Sequence, residues 1–387
     1  MFSLYRNFNP LKSLSRSVST INIPNLNIKE TVYERSDYPL GNKNYLNEIL
    51  IKGSKKADLI AKNNLWIDST IIPNNNLIVE LNSLKNGEAL YKDDILIAFV
   101  SEKFKLEKLY RRKTSLKIIR INSLTDIFTI NSSEIRNDFE LIEKKDNSLL
   151  DCKSIKVFGD KTNIYIHPNA KLKNATLNSE NGPIFIDEDC DIMENVSIRG
   201  PFSINKSSVV KMGAKIYEGC SIGPFCKIGG EVSNSVFFGY SSKSHDGFIG
   251  NSVIGKWCNL GADTNNSNLK NNYSNVKLWN YEFQSFVDTG LQFCGMIMGD
   301  HSKTGINTMI NTGSVIGVGV NLFGPGFTRN FIPSFSWGGS NGFTEHKFNM
   351  FKETSIRVMK RRNKCFDENQ SNLYETLFDM TKRYRNY

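Results

Sequence analysis

The sequence predicts an α+β chain whose centre is a three-sided parallel β-helix of six-residue repeats. A mixed α/β domain precedes it and helices follow it. Three observations carry this reading. First, aliphatic residues recur every six positions at Ile186, Ile192, Ile198, Ile204, Val210, Ile216, Ile222 and Ile228. Second, four places after each stands a mostly small residue: Cys190, Val196, Phe202, Ser208, Ala214, Cys220, Cys226 and Val232. Third, the pattern returns at Met298, Thr304, Ile310, Ile316 and Leu322, followed at the same offset by Ser302, Thr308, Ser314, Val320 and Gly326. Six is neither the 3.6-residue period of a helix face nor the alternation of a strand. Each hexad is a short strand plus a tight turn, and three hexads close one triangular coil. The large aliphatic points inward and the small residue fills the corner, so a coil is stable only when stacked on its neighbours.

The boundaries follow from where the hexads begin and stop: 1–155, 156–343 and 344–387. In the first segment no hexads occur. "NLWIDSTIIPNNNLIVELNSLKNGEALYKDDILIAFV", residues 64–100, reads as strand, helix and strand. The basic run "KFKLEKLYRRKTSLKIIR", 103–120, reads as a solvated helical face, because no aromatic platform accompanies it for nucleic acid. Ile166 and Leu172 open the array, and Ile254 and Leu260 bridge two breaks, one over about 233–248 and one over 265–297. Breaks in a solenoid are expected to project as loops where function resides. The tail after residue 343 reads as one or two amphipathic helices, with Phe348, Phe351 and Val358 on one apolar stripe that packs back on the domain.

Composition narrows the function classes. The net charge of +10 favours anionic ligands, although abundant Asn, Lys and Ile point to an AT-rich coding bias as one source of it. The seven cysteines form no CxxC pair, which argues against zinc, and an odd count without a secretory signal fits a reducing compartment. Cys190, Cys220 and Cys226 read as corner fillers. The first residues carry Arg6, Lys12 and Arg16 and no acid before Glu30, the composition of a transit peptide or of an ordinary basic opening.

Four histidines are candidates for proton transfer. His167 and His346 read as structural; His301 stands in "MGDHSKTGIN"; His245 lies in the first break beside Lys243 and Ser244. "SSKSHDGFIGNSVIGKWCNLGADTNNSN", 241–268, resembles the acetyltransferase half of the bifunctional UDP-N-acetylglucosamine diphosphorylase–glucosamine-1-phosphate N-acetyltransferases. "GDHSKTGINTMI" is similar to their archaeal branch. "EVSNSVFFGYSSKSHDGF", "LWNYE", "TGLQFCG" and "RNFIPSFSWGG" look like a Bacteroidetes-type branch of sugar nucleotidyltransferases carrying an acetyltransferase-like half. The segment 9–30 resembles the opening of that branch, which is why it is read as part of the domain and not as a targeting peptide.

The resemblance implies a left-handed parallel β-helix of the hexapeptide-repeat class, a nucleotidyltransferase-like first domain, and a cytoplasmic homotrimer with active sites between subunits. It implies acetyl transfer from acetyl-CoA to the amine of glucosamine-1-phosphate in UDP-N-acetylglucosamine biosynthesis. His245 falls on the catalytic base, a task suited to imidazole near neutral pH. Lys227 and Lys243 fall near the sugar phosphate. Phe248 replaces a Tyr, and Asn268 matches a sugar-binding Asn. Ala262 and Ile306 fall on positions that hold the thioester and pantetheine, Ile306 replacing a Ser, while Lys303 and Arg329 are placed near the CoA phosphates. Arg16 is the Arg that remains of the nucleotide-binding opening, whose Gly-rich loop is missing. If that domain transfers uridylate from UTP, Mg2+ would be needed to offset the triphosphate. Neither nucleic acid nor membrane is expected as a partner. Two alternatives stand beside this reading: a sugar-1-phosphate nucleotidyltransferase with a trimerising β-helix, and a non-catalytic scaffold.

Overall fold

The computed structural model describes residues 64–67, 71–72, 74–101, 108–121, 123–140, 142, 154–281 and 283–387. Arg16 and most of the expected first domain lie outside them. The described chain falls into two units, divided after Ser123.

In the first unit, strands Asn64–Ile67, Ile95–Ser101, Glu88–Lys92 and Tyr110–Lys113 form a four-stranded sheet. Helix α1, Asn75–Asn82, starts where the Asn74 side chain accepts the Leu77 N–H at 2.9 Å. Its Leu77 and Leu81 pack with Leu90, Ile97 and Ala98. The basic run departs from expectation. Its described part is no helix, because Tyr110–Lys113 adds as a parallel strand to Glu88–Lys92. The Arg112 guanidinium meets Glu88 at 3.2 Å there, and the Arg111 guanidinium lies over the Tyr91 ring.

The second unit is a three-sided parallel β-solenoid. Sheet I stacks Lys156–Phe158, Thr176–Asn178, Ser197–Arg199, Lys215–Ile216, Glu231–Ser233 and Phe248–Gly250. Sheet II has nine strands, from Ile164–Ile166 to Phe331–Ile332. Sheet III begins with Lys171–Leu172, Asp191–Ile192, Val209–Val210, Lys227–Ile228 and Ser242–Lys243. It resumes through a bridge at Asn259 to Lys303–Thr304 and Asn321–Leu322. Phe202 pairs with Cys220 and Val209 with Lys227, so one coil is 18 residues, or three hexads. Ile186, Ile192, Ile204, Val210, Ile222 and Ile228 are wholly buried inside the prism. The small residues behave as the spacing requires: Cys190, Cys220 and Cys226 are also fully buried.

The two breaks differ in kind. Residues 233–248 are not an inserted loop. Val236–Phe237 and Ser242–Lys243 continue sheets II and III in register. The hexads disappear from the sequence there because the offset between paired strands falls from 18 residues to 16 at Ile216–Val232 and 15 at Ile222–Phe237 and Ile228–Lys243, and because a lysine takes an inward position. The second break is an insertion. It leaves after Asn265–Asn266, forms an antiparallel hairpin of Lys277–Asn280 with Ser285–Asp288, and re-enters at Met296–Met298.

Other elements cover two faces. Helix α2, Asp126–Thr129, packs on α3, Asn131–Glu140, and α3 lies over sheet II. The buried Asn131 amide donates to the Gly219 carbonyl at 2.7 Å and accepts from the Ser221 hydroxyl at 2.9 Å. The tail forms α4, Phe348–Lys360, and α5, Glu368–Thr381, the latter opened by a capping box of Asp367 and Gln370. Phe351, Ser355 and Met359 are the buried stripe of α4, flanked by half-buried Phe348 and Val358 as their spacing predicts. Arg385 then fastens the chain end. Its guanidinium is buried, meets Glu345 at 3.0 Å and donates to the Ser334 carbonyl. Among the described residues no helix is long and apolar enough to cross a membrane.

Burial pushes the thiols of Cys190, Cys220, Cys226 and Cys294 up to about 12, and raises Cys258 as well. A thiolate-selective reagent at pH 8 should therefore modify exposed Cys365 in the native protein and reach these five only on unfolding. Peptide mass spectrometry that finds any of the five labelled before unfolding would contradict the packing.

Candidate active site

The three edges of the solenoid are built from different residue types. At the edge where sheet III passes to sheet I, the left-handed turn position holds Gly213, Gly230, Gly247, Asp263 and Asn307, all at positive φ. Gly, Asp and Asn tolerate that conformation best. Successive turns are joined by backbone bonds from Glu231 N–H to the Gly247 carbonyl, Asp263 N–H to Asp246 and Asn307 N–H to Ala262. The coils pack closely here: a Cβ on Gly229 would sit 2.4 Å from the Ser244 carbonyl oxygen.

This edge brings together three of the residues singled out from the sequence. His245 is exposed on it. One coil below lies the Gly229–Gly230 pair, and one coil above lies Ala262. Ile306, 71% exposed, follows one coil further. The imidazole thus stands as an exposed side chain between a glycine pair and an alanine, with exposed Met212 and Ile306 one coil further on either side. Phe248 begins the next strand of sheet I, and its N–H donates to the Asn265 side chain at 2.8 Å. A Cβ on Gly250 would meet the Phe248 ring at 2.5 Å and the Asn268 amide at 2.7 Å, so Phe248 and Asn268 share one patch of that face. Asn268 also donates to the Asn251 side-chain oxygen at 2.7 Å.

Two lysines are placed otherwise than expected. Lys243 occupies an inward position of sheet III, paired in register with Ile228, and is 1% exposed. Its ammonium donates to the backbone carbonyls of His245 at 2.5 Å and Asp246 at 2.9 Å. It shapes the turn that carries the imidazole and does not face a ligand. Burial lowers its pKa to about 8, with the Asp246 and Asp263 carboxylates holding it from falling further. Lys303 donates to the His301 carbonyl at 2.9 Å, toward the opposite edge of sheet III, and burial lowers its pKa too. Arg329 lies over the Phe343 ring, 5.0 Å from its centroid, and not on the His245 edge. Lys227 stays on the outer surface of sheet III.

The edge between sheets II and III shows what hexad reading missed. Its positive-φ position holds Phe225, Tyr240, Trp257 and His301, each near 60°. The rings form a ladder, with Phe225 to Tyr240 at 4.9 Å, Tyr240 to Trp257 at 4.1 Å and Trp257 to His301 at 6.2 Å. The signal was present as "GPFC", "FGYS", "GKWC" and "GDHS", an aromatic ring before each small corner residue. His301 is 1% exposed and also meets Phe351, Phe366 and Tyr374 edge-on. Among the described residues neither of its ring nitrogens has a hydrogen-bond partner. Burial holds it well below the usual imidazole range, so it is a neutral rung and not a base. His346 precedes α4, and its Nδ1 lies 2.8 Å from the Gly319 carbonyl.

A family model described as sugar nucleotidyl transferase matches residues 3–147. No curated protein matches the chain. Among solved structures, the chain is similar to the UDP-N-acetylglucosamine acyltransferase from Campylobacter jejuni, at 14% identity over 59% of this chain and 85% of that one, with a TM-score of 0.23. It is similar also to the Arabidopsis UDP-N-acetylglucosamine acyltransferase, at 15% identity, 54% and 81% coverage and a TM-score of 0.20. A third is the N-acyltransferase AntD from Bacillus cereus, solved with dTDP and coenzyme A, at 11% identity, 57% and 100% coverage and a TM-score of 0.22.

Two outcomes follow from the buried side chains. Between pH 8 and 10.5 the unfolded chain keeps a proton on Lys243 that the folded chain has released, so raising the pH across this window favours the folded form. Relative to Lys243→Met, the wild type should gain about 3 kcal/mol over that window in denaturant titrations; parallel pH profiles would refute the burial of the ammonium. His301→Phe removes two unpartnered polar atoms and should leave stability unchanged or raise it by about 1–2 kcal/mol. A marked loss in thermal midpoint would mean that the imidazole has a bonding partner.

Proposed function

We propose that the chain transfers an acetyl group from acetyl-CoA to the amine of an amino-sugar phosphate, glucosamine-1-phosphate being the substrate its motifs fit best. The observation that carries this reading is the exposed His245 imidazole between Gly229–Gly230 and Ala262, on a turn braced from within by Lys243. The chemistry needs a base at such a place. The amine must be free of its extra proton to attack the thioester carbonyl; His245 takes the proton as the C–N bond forms, and the C–S bond breaks to release CoA. The thioester arm is proposed to run along the edge past Ala262 and Ile306, where Gly229, Gly230 and Ala262 present little side-chain bulk. Phe248 and Asn268 then flank the sugar from sheet I.

The site is proposed to be completed by a second copy in a cytoplasmic homotrimer. Exposed Ile306, and Phe283 and Phe286 on the inserted hairpin, are consistent with such a neighbour. A second activity, uridyl transfer, is favoured by one observation, the match of residues 3–147 to a sugar nucleotidyl transferase model. Among the described residues no group of three or more His, Cys, Asp or Glu is placed to hold a metal ion, and no step is assigned to Mg2+. Pyrophosphate release from UTP with a sugar-1-phosphate tests that activity separately.

His245→Ala should lower CoA release from acetyl-CoA and glucosamine-1-phosphate by roughly 10²- to 10⁴-fold while melting temperature and oligomeric state stay as in the wild type. Unchanged turnover in that variant would remove the base from the mechanism.

A further inference from the structure

We propose that the shortened turn at Gly229–Gly230 is the subsite for the ring of the amino sugar, and that Met212 determines specificity for it. The inference rests on the acetyl-transfer reading of His245. It places the acceptor beneath the imidazole, on the side away from Ala262 and Ile306.

The first ground is strand register. Where sheet III passes to sheet I, the lower coil uses four residues, Lys211–Ala214, between Val210 and Lys215. The upper coil also uses four, Ser244–Gly247, between Lys243 and Phe248. The coil between them uses only two, Gly229 and Gly230, between Ile228 and Glu231. Met212 and His245 are therefore equivalent apex residues, and the apex between them is missing. The next coils return to four residues, Gly261–Thr264 and Gly305–Thr308. Adjacent coils are roughly 5 Å apart, so about 10 Å separates the turns that carry Met212 and His245. That is room for a pyranose ring. Gly229 and Gly230 close the floor of the gap tightly, since a Cβ on Gly230 would lie 2.7 Å from the Gly247 carbonyl oxygen.

The second ground is what the rim offers. Below the gap, the Gly213 N–H donates to the Glu194 carbonyl at 3.0 Å; above it, the Asp263 N–H donates to the Asp246 carbonyl at 3.1 Å. Between these two, the backbone ladder of the apex is interrupted. Among the described residues, the N–H groups of His245 and Asp246 and the carbonyl of Met212 have no protein partner. Met212 is also 69% exposed. A lone exposed methionine is ordinary; this one borders a missing turn with unpaired donors on the far rim. A pyranose has an apolar C–H face, which suits a flexible thioether, and hydroxyls, which pair with backbone N–H and C=O groups. The rim carries both signs of charge, Lys211 in the lower turn and Asp246 in the upper, so it favours a neutral ring over an anionic group. A ring held there brings its amine to the imidazole on the next apex.

The test uses the full-length chain, a variant with an Asn-Gly pair inserted between Gly229 and Gly230 to restore a four-residue turn, and M212A with M212L as its conservative counterpart. Calorimetric titration with glucosamine-1-phosphate and, separately, with acetyl-CoA is read beside steady-state CoA release. The expected result is that the insertion weakens glucosamine-1-phosphate by roughly tenfold or more and leaves acetyl-CoA binding unchanged. M212A should weaken glucosamine-1-phosphate by roughly 3- to 10-fold, seen in turnover as a raised KM with kcat unchanged, and M212L should keep most of the affinity. Variants that bind glucosamine-1-phosphate as tightly as the wild type overturn the subsite, as does a loss confined to acetyl-CoA. A wild type that binds no glucosamine-1-phosphate overturns it too. Should the insertion variant melt abnormally, M212A, altered at an exposed side chain, decides by the same criterion. Weakened glucosamine-1-phosphate binding in both variants of a chain that releases no CoA refutes acetyl transfer alone. CoA release with a wild-type KM for the acceptor in both variants refutes the subsite alone.

Discussion

Everything in the second unit depends on one repeated contact, an inward aliphatic side chain resting on its counterpart 18 residues away while the flanking backbones exchange hydrogen bonds. Ile186, Ile204 and Ile222 form such a column in sheet II, and Ile192, Val210 and Ile228 form another in sheet III. A lone coil has no partner for its strands and no cover for its aliphatics, so each coil is stabilised by the ones above and below. The corners permit this close stacking only where side chains are small or absent. At Gly261 an added Cβ would lie 2.3 Å from the Gly305 carbonyl oxygen. The same constraint that holds the prism together favours glycine and alanine along parts of the sheet III–sheet I edge, as at Gly229, Gly230, Gly261 and Ala262.

The edges have diverged from that common plan. One carries an aromatic ladder and is covered by α4 and α5, which close on His301 and Phe335. Another opens into the inserted hairpin, whose Trp279 stacks on Phe331 at 4.3 Å. The third stays thin and carries His245. The chemistry proposed for this chain is thus assigned to the edge where packing asks least of the side chains.

Lys243 shows the local cost of this arrangement. An aliphatic residue at its position would continue the column from Ile228 to Leu260. The ammonium is tolerated because two carbonyls of the His245 turn receive it, and those bonds fix the turn in return. Burying a cation for the sake of a turn is a sign that the turn matters more than the column at this level.

The sequence by itself determined the prism, its 18-residue coil, the buried cysteines and the stripe on α4, because each is written in a short period that local sterics and burial impose. His245, Ala262 and Ile306 were grouped by the resemblance of their motifs and not by the period, for they stand 17 and 44 residues apart, neither a whole number of 18-residue coils. Tertiary structure alone decided that residues 233–248 continue the coils, that Lys243 turns inward and Lys303 away, and that α4 and α5 close on His301 and Phe335. A lysine reads as a surface residue until its neighbours supply carbonyls to hold it. Contacts between a helix and a coil distant in the chain, such as Tyr374 with His301 or Asn131 with Gly219, leave no period in it. They are set by which apolar faces remain uncovered once the repeats have stacked, and that is known only when the whole fold is assembled.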